Sequence, residues 1–165
     1  MILMPYECER QRLDVAVDAD FAGCRETRRS TCGGCVHWGR ALIKAWSKTL
    51  ATMALSTGES ELGALVKGAT EGLGVQAILA DFALNAKIGL HSDASAAIGI
   101  TSRRGLGKVR HLAVADLWIQ QRVQRGDFEI QKLPGLENPA DLMTKILATG
   151  EIRSRLESMN MYIGE

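Results

Sequence analysis

Alternating apolar and polar positions dominate the first third of the chain. Residues 13–18 alternate with a period of two and end at Asp18, which predicts a half-buried strand. Residues 31–38 and 41–48 predict two further strands, joined by a tight turn at Gly39-Arg40. A charged, turn-like segment over 23–30 separates the first strand from the second, and the three strands predict an antiparallel meander.

Helical spacing replaces this alternation after Ser56. Ser56 and Glu59 have the spacing of a capping box, and apolar residues then recur at helical intervals, which predicts a long helix. Glu61 lies in the first turn of that helix. A short strand is predicted next, over 87–92, and Asp93 follows its last residue.

The second half of the chain mixes helices with one more strand. The predicted segments are a short helix over 94–100, a Gly-rich basic loop over 101–110, a helix from 112 that Gly126 stops, a strand over 127–133, a helix over 139–147 and an amphipathic stretch over 152–159. Asn138-Pro139 supplies an N-cap and a first-turn Pro for the helix that carries Asp141.

The order of these elements places acidic residues at one edge of a sheet. Helical crossovers connect the first, fourth and fifth strands, so these strands are expected to run parallel with right-handed connections. In open sheets of this kind, ligand sites form beyond the carboxyl ends of the strands. Asp18 and Asp93 occupy two such strand ends, and Asp141 begins the helix after the third.

Four acids, with Glu61 as the fourth, are therefore candidates for one site. Converging carboxylates repel one another unless cations lie between them, and an all-oxygen ligand set suits Mg²⁺. Taken singly, the acids have ordinary explanations: Asp93 can cap a short helix, and Asp141 can complement a helix dipole. Their joint placement favours a divalent-metal site.

Composition narrows the class of protein. The 165 residues are 46% apolar and 24% charged, as in a soluble globular domain, and the net charge of +1 means that any basic surface is local. No apolar run has the length of a membrane span, and the opening apolar residues are too few for a signal peptide. We therefore expect an intracellular protein without a membrane partner.

Four cysteines, Cys8, Cys24, Cys32 and Cys35, are expected to be reduced in such a chain. Cys32 and Cys35 have CxxC spacing with His37 nearby, so a zinc-binding interaction module that also uses Cys24 is one alternative function. No second CxxC pair follows along the chain, which favours structural cysteines.

Five groups of residues resemble, in the same order, the ribonuclease H domain of copia-type retrotransposon polyproteins. They are DADFAG (18–23) with TRRST (27–31), ALSTGESEL (54–62), HSDASAAI (91–98), KVRHL (108–112) and NPADLMTK (138–145). The resemblance implies an α/β ribonuclease H-like fold, a five-stranded mixed sheet in the order 3-2-1-4-5 with helices on both faces. It divides the chain into an irregular lead-in over 1–12, a ribonuclease H-like domain over 13–147 and a C-terminal helical extension over 148–165.

The same resemblance assigns the site. It implies that the catalytic and metal-binding residues are Asp18, Glu61, Asp93 and Asp141. The family motifs place ligands at Asp18 rather than Asp20, and at Glu61 rather than Glu59. The implied reaction is Mg²⁺-dependent hydrolysis of the RNA strand of an RNA–DNA hybrid during retrotransposon reverse transcription. Two ions about 4 Å apart are expected, with Mn²⁺ able to substitute.

Nucleic-acid contacts are expected from polar and basic residues near these acids. The predicted contacts are Arg28, Arg29, Ser30, Lys108, Arg110 and His111. Cationic contacts to phosphate give affinity that depends on salt but not on sequence. The expected partners are the hybrid duplex and a reverse transcriptase domain of the same polyprotein, in the cytoplasm or the nucleus.

Two departures from the family keep a second function open. The loop over 134–138 lacks the histidine that cellular ribonucleases H carry before their last acidic helix, and Ala113 stands where many relatives have Asp. The alternative is a non-catalytic nucleic-acid-binding or assembly module that retains the fold.

Overall fold

Strands and helices alternate in the computed structural model, which describes residues 12–105 and 114–161, with the backbone alone for 114–116. The strands are β1 (Arg12–Ala19), β2 (Thr31–Trp38), β3 (Ala41–Thr49), β4 (Lys87–Ser92) and β5 (Phe128–Lys132). The helices are α1 (Thr57–Asp81), α2 (Ser95–Ser102), α3 (Val114–Gln124) and α4 (Thr149–Ser158), with 3₁₀ turns at Gly135–Glu137 and Pro139–Met143. Among these described helices, none combines the length and the apolar character that crossing a bilayer requires.

The strands form one mixed sheet in the order β3-β2-β1-β4-β5. Antiparallel pairing joins β1 to β2 and β2 to β3, whereas β4 lies parallel to both β1 and β5. The predicted meander, the parallel second half and the strand order are confirmed. Because β1 and β4 are parallel neighbours, their carboxyl ends open at the same edge of the sheet.

Helix α1 covers one face of the sheet. Ser56 caps it by accepting a hydrogen bond from the Glu59 amide at 3.3 Å. Leu13 and Val17, on β1, are fully buried in the core cluster that this helix covers. A Cβ on Gly68 would overlap Val17 Cγ1, so glycine allows the helix to lie close to the central strand.

The opposite face of the sheet is covered by the Pro139–Met143 turn and by α4. Ala16 and Cys35 point to this side and pack with Ala140 and Met159 in a second core cluster. The cluster is small, but it places α4 against the sheet. Helices therefore flank both faces, as predicted.

The late helix predicted after Asn138 is wrong in type and length. The structure has a 3₁₀ turn over Pro139–Met143, and the next α-helix begins only at Thr149. The Asn138 side-chain oxygen accepts a hydrogen bond from the Ala140 amide at 3.1 Å, and its side-chain amide donates to the Val17 carbonyl at 3.0 Å. This buried link to β1 fixes the segment, and a helical pattern does not encode it.

Candidate metal centre

Asp18 lies near the carboxyl end of the central strand and is 1% exposed. Strand alternation puts its side chain on the face of Ala16, away from α1. The Thr144 hydroxyl donates a hydrogen bond to Asp18 Oδ2, and the Lys145 ammonium lies 3.3 Å from Oδ1. Burial raises the pKa of the Asp18 carboxyl, although both of these neighbours act to lower it.

Glu61 approaches the same point from the N-terminal part of α1. Its Oε2 atom is buried and has no hydrogen-bond partner. Burial is the main reason that the pKa of Glu61 rises to about 8, and the Asp18 and Asp93 carboxylates add to the effect. A buried carboxylate oxygen without a partner is a group that a bound cation can satisfy.

Asp93 directly follows β4. The N-cap of α2 is Ala94, and this helix has no side-chain cap, so helix capping does not explain Asp93. A Cβ on Gly135 would lie 3.0 Å from Asp93 Oδ2. The small residue therefore lets the loop after β5 lie close beside this acid.

The three acids converge at the edge of the sheet. One ligand oxygen from each of Asp18, Glu61 and Asp93 lies within 4.8 Å of the others. Among the described residues, no other group of acidic, histidine or cysteine side chains has this spacing. Carboxylates with raised pKa values and an unpartnered buried oxygen fit a hard divalent cation such as Mg²⁺, which would remove their mutual repulsion.

Asp141 lies beside this group but is not one of its three converging members. It is 4% exposed, with Oδ1 2.6 Å from the Lys145 ammonium and Oδ2 3.2 Å from the Arg155 guanidinium. Lys145 contacts both Asp141 and Asp18, so it links the fourth acid to the group. The sequence motif indicated Asp141, whereas nothing in the spacing signalled its partner Arg155 on α4. A metal-binding role for Asp141 stays a prediction.

The two competing carboxylates have local roles. Asp20 Oδ1 accepts a 2.5 Å hydrogen bond from the Thr31 amide, which closes the connection between β1 and β2. Glu59 Oε2 accepts a 2.8 Å hydrogen bond from the amide of Leu55, the residue before the N-cap Ser56, so Glu59 helps to close the start of α1. Neither acid belongs to the converging group.

The residues predicted to contact nucleic acid fall in two segments. Arg28 and Arg29 are exposed in the connection between β1 and β2. Ser30 is fully buried, and its hydroxyl accepts a 3.1 Å hydrogen bond from the Ala22 amide. Its burial contradicts a contact between this side chain and a duplex. The other predicted contacts lie outside the described residues: Lys108, Arg110 and His111.

The zinc alternative is contradicted by the placement of the cysteines. Cys32 faces the core under α1, whereas Cys35, three residues along the same strand, faces the opposite side of the sheet. These two thiols therefore cannot share an ion. Burial raises the pKa of the Cys35 thiol to about 12, which keeps it protonated. In the described part of the chain, Cys24 and His37 join no metal-ligating group.

The strand order, the flanking helices and the acids at the strand ends define a protein of the ribonuclease H fold. The N-terminal ribonuclease H domain of rv2228c from Mycobacterium tuberculosis is 15% identical, with a TM-score of 0.56 over 89% of this chain and 97% of that chain. LC11-RNase H1 from compost, solved in complex with an RNA/DNA hybrid, is 13% identical, with a TM-score of 0.54 over 80% of this chain and 93% of that chain.

Sequence similarity points to one kind of retroelement protein. The chain is 27% identical over 147 residues to the Retrovirus-related Pol polyprotein from transposon TNT 1-94 of Nicotiana tabacum, and the match covers 88% of the chain and 11% of the polyprotein. Prototype foamy virus protease-reverse transcriptase matches 93% of the chain over 21% of its own length, with a TM-score of 0.51 and 10% identity. No family model matches the chain. The resemblance to the ribonuclease H domain of a retrotransposon polyprotein is thus confirmed.

Proposed function

We propose that this chain is a Mg²⁺-dependent endoribonuclease that hydrolyses the RNA strand of RNA–DNA hybrids during retrotransposon reverse transcription. The observation that carries the proposal is the convergence of Asp18, Glu61 and Asp93, whose ligand atoms lie within 4.8 Å of one another at the strand ends of a ribonuclease H fold. The similar Pol polyprotein and the related fold solved with an RNA/DNA hybrid support the same substrate.

The acids would hold the divalent ions. Asp18, Glu61 and Asp93 form the main ligand group, and Asp141 is the proposed fourth acid at its edge. Bound by these acids, two Mg²⁺ ions, replaceable by Mn²⁺, would supply the Lewis-acid chemistry that activates an attacking water and stabilises a leaving 3′-oxygen. Asp18 is proposed as the central ligand, because it lies near the end of the rigid central strand and contacts Lys145, as Asp141 does.

The fold excludes water from two of these acids, which raises their pKa values. Asp18 is 1% exposed, and Glu61 Oε2 is buried. Burial raises the pKa of both carboxyl groups, that of Glu61 to about 8, so Glu61 holds a proton near neutral pH in the metal-free chain. Metal binding should therefore release a proton from Glu61, and metal affinity should increase with pH.

Substrate binding is proposed for the exposed cations beside the site. Arg28 and Arg29 lie in the connection that leaves β1 just after Asp18. Guanidinium groups bind phosphate whatever the base sequence, and this affinity weakens with salt. The same role is proposed for Lys108, Arg110 and His111. A reverse transcriptase domain of the same polyprotein is the proposed protein partner, in the cytoplasm or the nucleus.

Cleavage of a labelled RNA–DNA hybrid in Mg²⁺ tests the proposed function. Asp93→Asn should slow cleavage by more than about 100-fold and leave hybrid affinity nearly unchanged, because it removes a metal-binding oxygen but no cation. Glu59→Gln is the matched control, since the glutamine side-chain oxygen can still accept the hydrogen bond from the Leu55 amide, and this variant should cleave like the wild type.

The products and the binding data separate the two candidate functions. RNA fragments with 3′-hydroxyl and 5′-phosphate ends would support the endoribonuclease. A hybrid that stays intact in both Mg²⁺ and Mn²⁺ would refute it. Hybrid binding without cleavage would instead support the non-catalytic nucleic-acid-binding module.

A further inference from the structure

A lysine ammonium lies on one side of the acidic group. Lys145 Nζ is 2.6 Å from Asp141 Oδ1 and 3.3 Å from Asp18 Oδ1. The second oxygen of each acid is also engaged, because Asp18 Oδ2 accepts a hydrogen bond from the Thr144 hydroxyl and Asp141 Oδ2 lies 3.2 Å from Arg155 Nη2. The protein itself therefore supplies a cation between Asp18 and Asp141.

On the Glu61 side of the acidic group, by comparison, a carboxylate oxygen has no hydrogen-bond partner. Glu61 Oε2 is buried without a hydrogen-bond partner, and it belongs to the group in which Asp18, Glu61 and Asp93 converge within 4.8 Å. A divalent ion that enters this trio meets the partnerless Glu61 oxygen, and no ammonium lies between Glu61 and Asp93 in the described structure. An ion that enters between Asp18 and Asp141 meets the positive charge of Lys145.

Lys145 is the residue of this network whose side chain can move away from the acids into solvent. Asp18, Asp141 and Arg155 are 1%, 4% and 6% exposed, whereas the Lys145 side chain is 42% exposed. Its backbone is held, because the Lys145 amide donates to the Asp141 carbonyl at 2.9 Å. The ammonium can therefore turn into water by side-chain rotation, while Arg155 keeps Asp141 paired.

We propose that Lys145 competes with the second divalent ion for the position between Asp18 and Asp141, so that the two ions bind with unequal affinity. The first ion enters the group formed by Asp18, Glu61 and Asp93. The second binds only as Lys145 turns to solvent. This inference rests on the proposed metal-dependent function, and it makes Lys145 a positioning residue that sets metal affinity.

Titration of the metal-free chain with Mn²⁺ alone tests the inference without measuring activity. Calorimetry and the EPR signal of free Mn²⁺ both report the stoichiometry. The wild type should bind a second equivalent at least about tenfold more weakly than the first. Lys145→Met should tighten the second equivalent by about tenfold or more, because no ammonium competes. Lys145→Arg keeps the charge and should retain the weak second site.

A matched control removes another lysine charge and leaves the Lys145 ammonium between Asp18 and Asp141. Lys132 ends β5, and its ammonium donates a 2.7 Å hydrogen bond to the Ser95 hydroxyl. Lys132→Met should tighten the second equivalent by no more than about threefold, because only a screened, longer-range charge is lost. Lys145→Gln repeats the neutral substitution, and far-UV circular dichroism confirms that each variant is folded.

The outcomes separate this inference from the proposed function. If Lys145→Met and Lys145→Gln bind the second equivalent no more tightly than Lys132→Met, the competition is refuted and the metal centre stands. If the wild type binds no Mn²⁺, the inference and the proposed metal-dependent function fall together.

Discussion

The carboxyl group of Glu61 combines burial with proximity to two other acids. Its pKa rises from an ordinary value of 4.5 to about 8, chiefly because of burial. Between these two values the unfolded chain has lost the Glu61 proton, whereas the folded metal-free chain keeps it. The free energy of unfolding therefore falls as pH rises through this window and levels off above it.

Glu61→Gln should remove most of this pH dependence from the metal-free chain. An amide has no proton to lose, so the variant should match the wild type near pH 4. It should be more stable by about 2 kcal/mol at pH 8, a figure that allows for solvent screening of a partly exposed group. Urea unfolding in EDTA across this pH range measures the difference.

Two results would check the assignment of this pH dependence to Glu61. Glu157→Gln, at an exposed position of α4, should keep the wild-type profile. If Glu61→Gln lost stability with rising pH as steeply as the wild type, the source of the dependence would have to be another group, such as the buried Asp18.

At the scale of elements, glycines set the distance between α1 and the sheet. A Cβ on Gly68 would overlap Val17 Cγ1, and one on Gly72 would lie 3.2 Å from Ile88 Cγ2. This close approach brings the N-terminal part of α1, with Glu61, to the carboxyl end of β1. The packing of α1 against the sheet therefore sets the position of Glu61 relative to the other acids.

Gly68→Ala should destabilise the fold by about 2 kcal/mol, although Ala is the better helix former, because the helix must move away from β1. Gly74→Ala is the matched control on the same helix. No atom lies within 4 Å of its Cβ position, so it should stabilise the fold by about 0.5–1 kcal/mol. Urea unfolding measures both changes. Stabilisation by both substitutions would contradict the close packing at Gly68.

Across the whole molecule, the candidate site depends on the C-terminal helix. Arg155 on α4 is 6% exposed, pairs with Asp141 and donates a 3.2 Å hydrogen bond to the Gly135 carbonyl. These contacts connect α4 with the loop after β5 and with the fourth acid. The helix predicted as an extension beyond residue 147 thus packs against the rest of the fold.

Arg155→Met should lower the free energy of unfolding by about 3 kcal/mol, because Asp141 would remain buried with one of its two cationic partners. Arg153→Met, at an exposed position on the same helix, should change it by no more than about 0.5 kcal/mol. Urea unfolding compares the two variants. Equal midpoints would show that the contact between α4 and Asp141 does not stabilise the fold.

Local patterns predicted most of the secondary structure. The strands β2 and β4 have the predicted bounds, because local signals mark their ends: the Gly39-Arg40 turn follows β2, and Asp93 follows β4. The N-cap at Ser56 placed the start of α1 for a similar reason, since its hydrogen bond joins residues close in sequence. The turn over Pro139–Met143 was predicted incorrectly, because a buried link from Asn138 to β1 fixes it.

The sequence by itself determined the order of the elements and, through the strand ends, that Asp18 and Asp93 lie at one edge of the sheet. The tertiary structure alone decided that Lys145 contacts two acids and that Ser30 is buried. Alternation and capping act between neighbours in the chain, so a sequence displays them. Charge pairing and burial depend on segments far apart in the chain, and their geometry exists only once the sheet and its helices have packed.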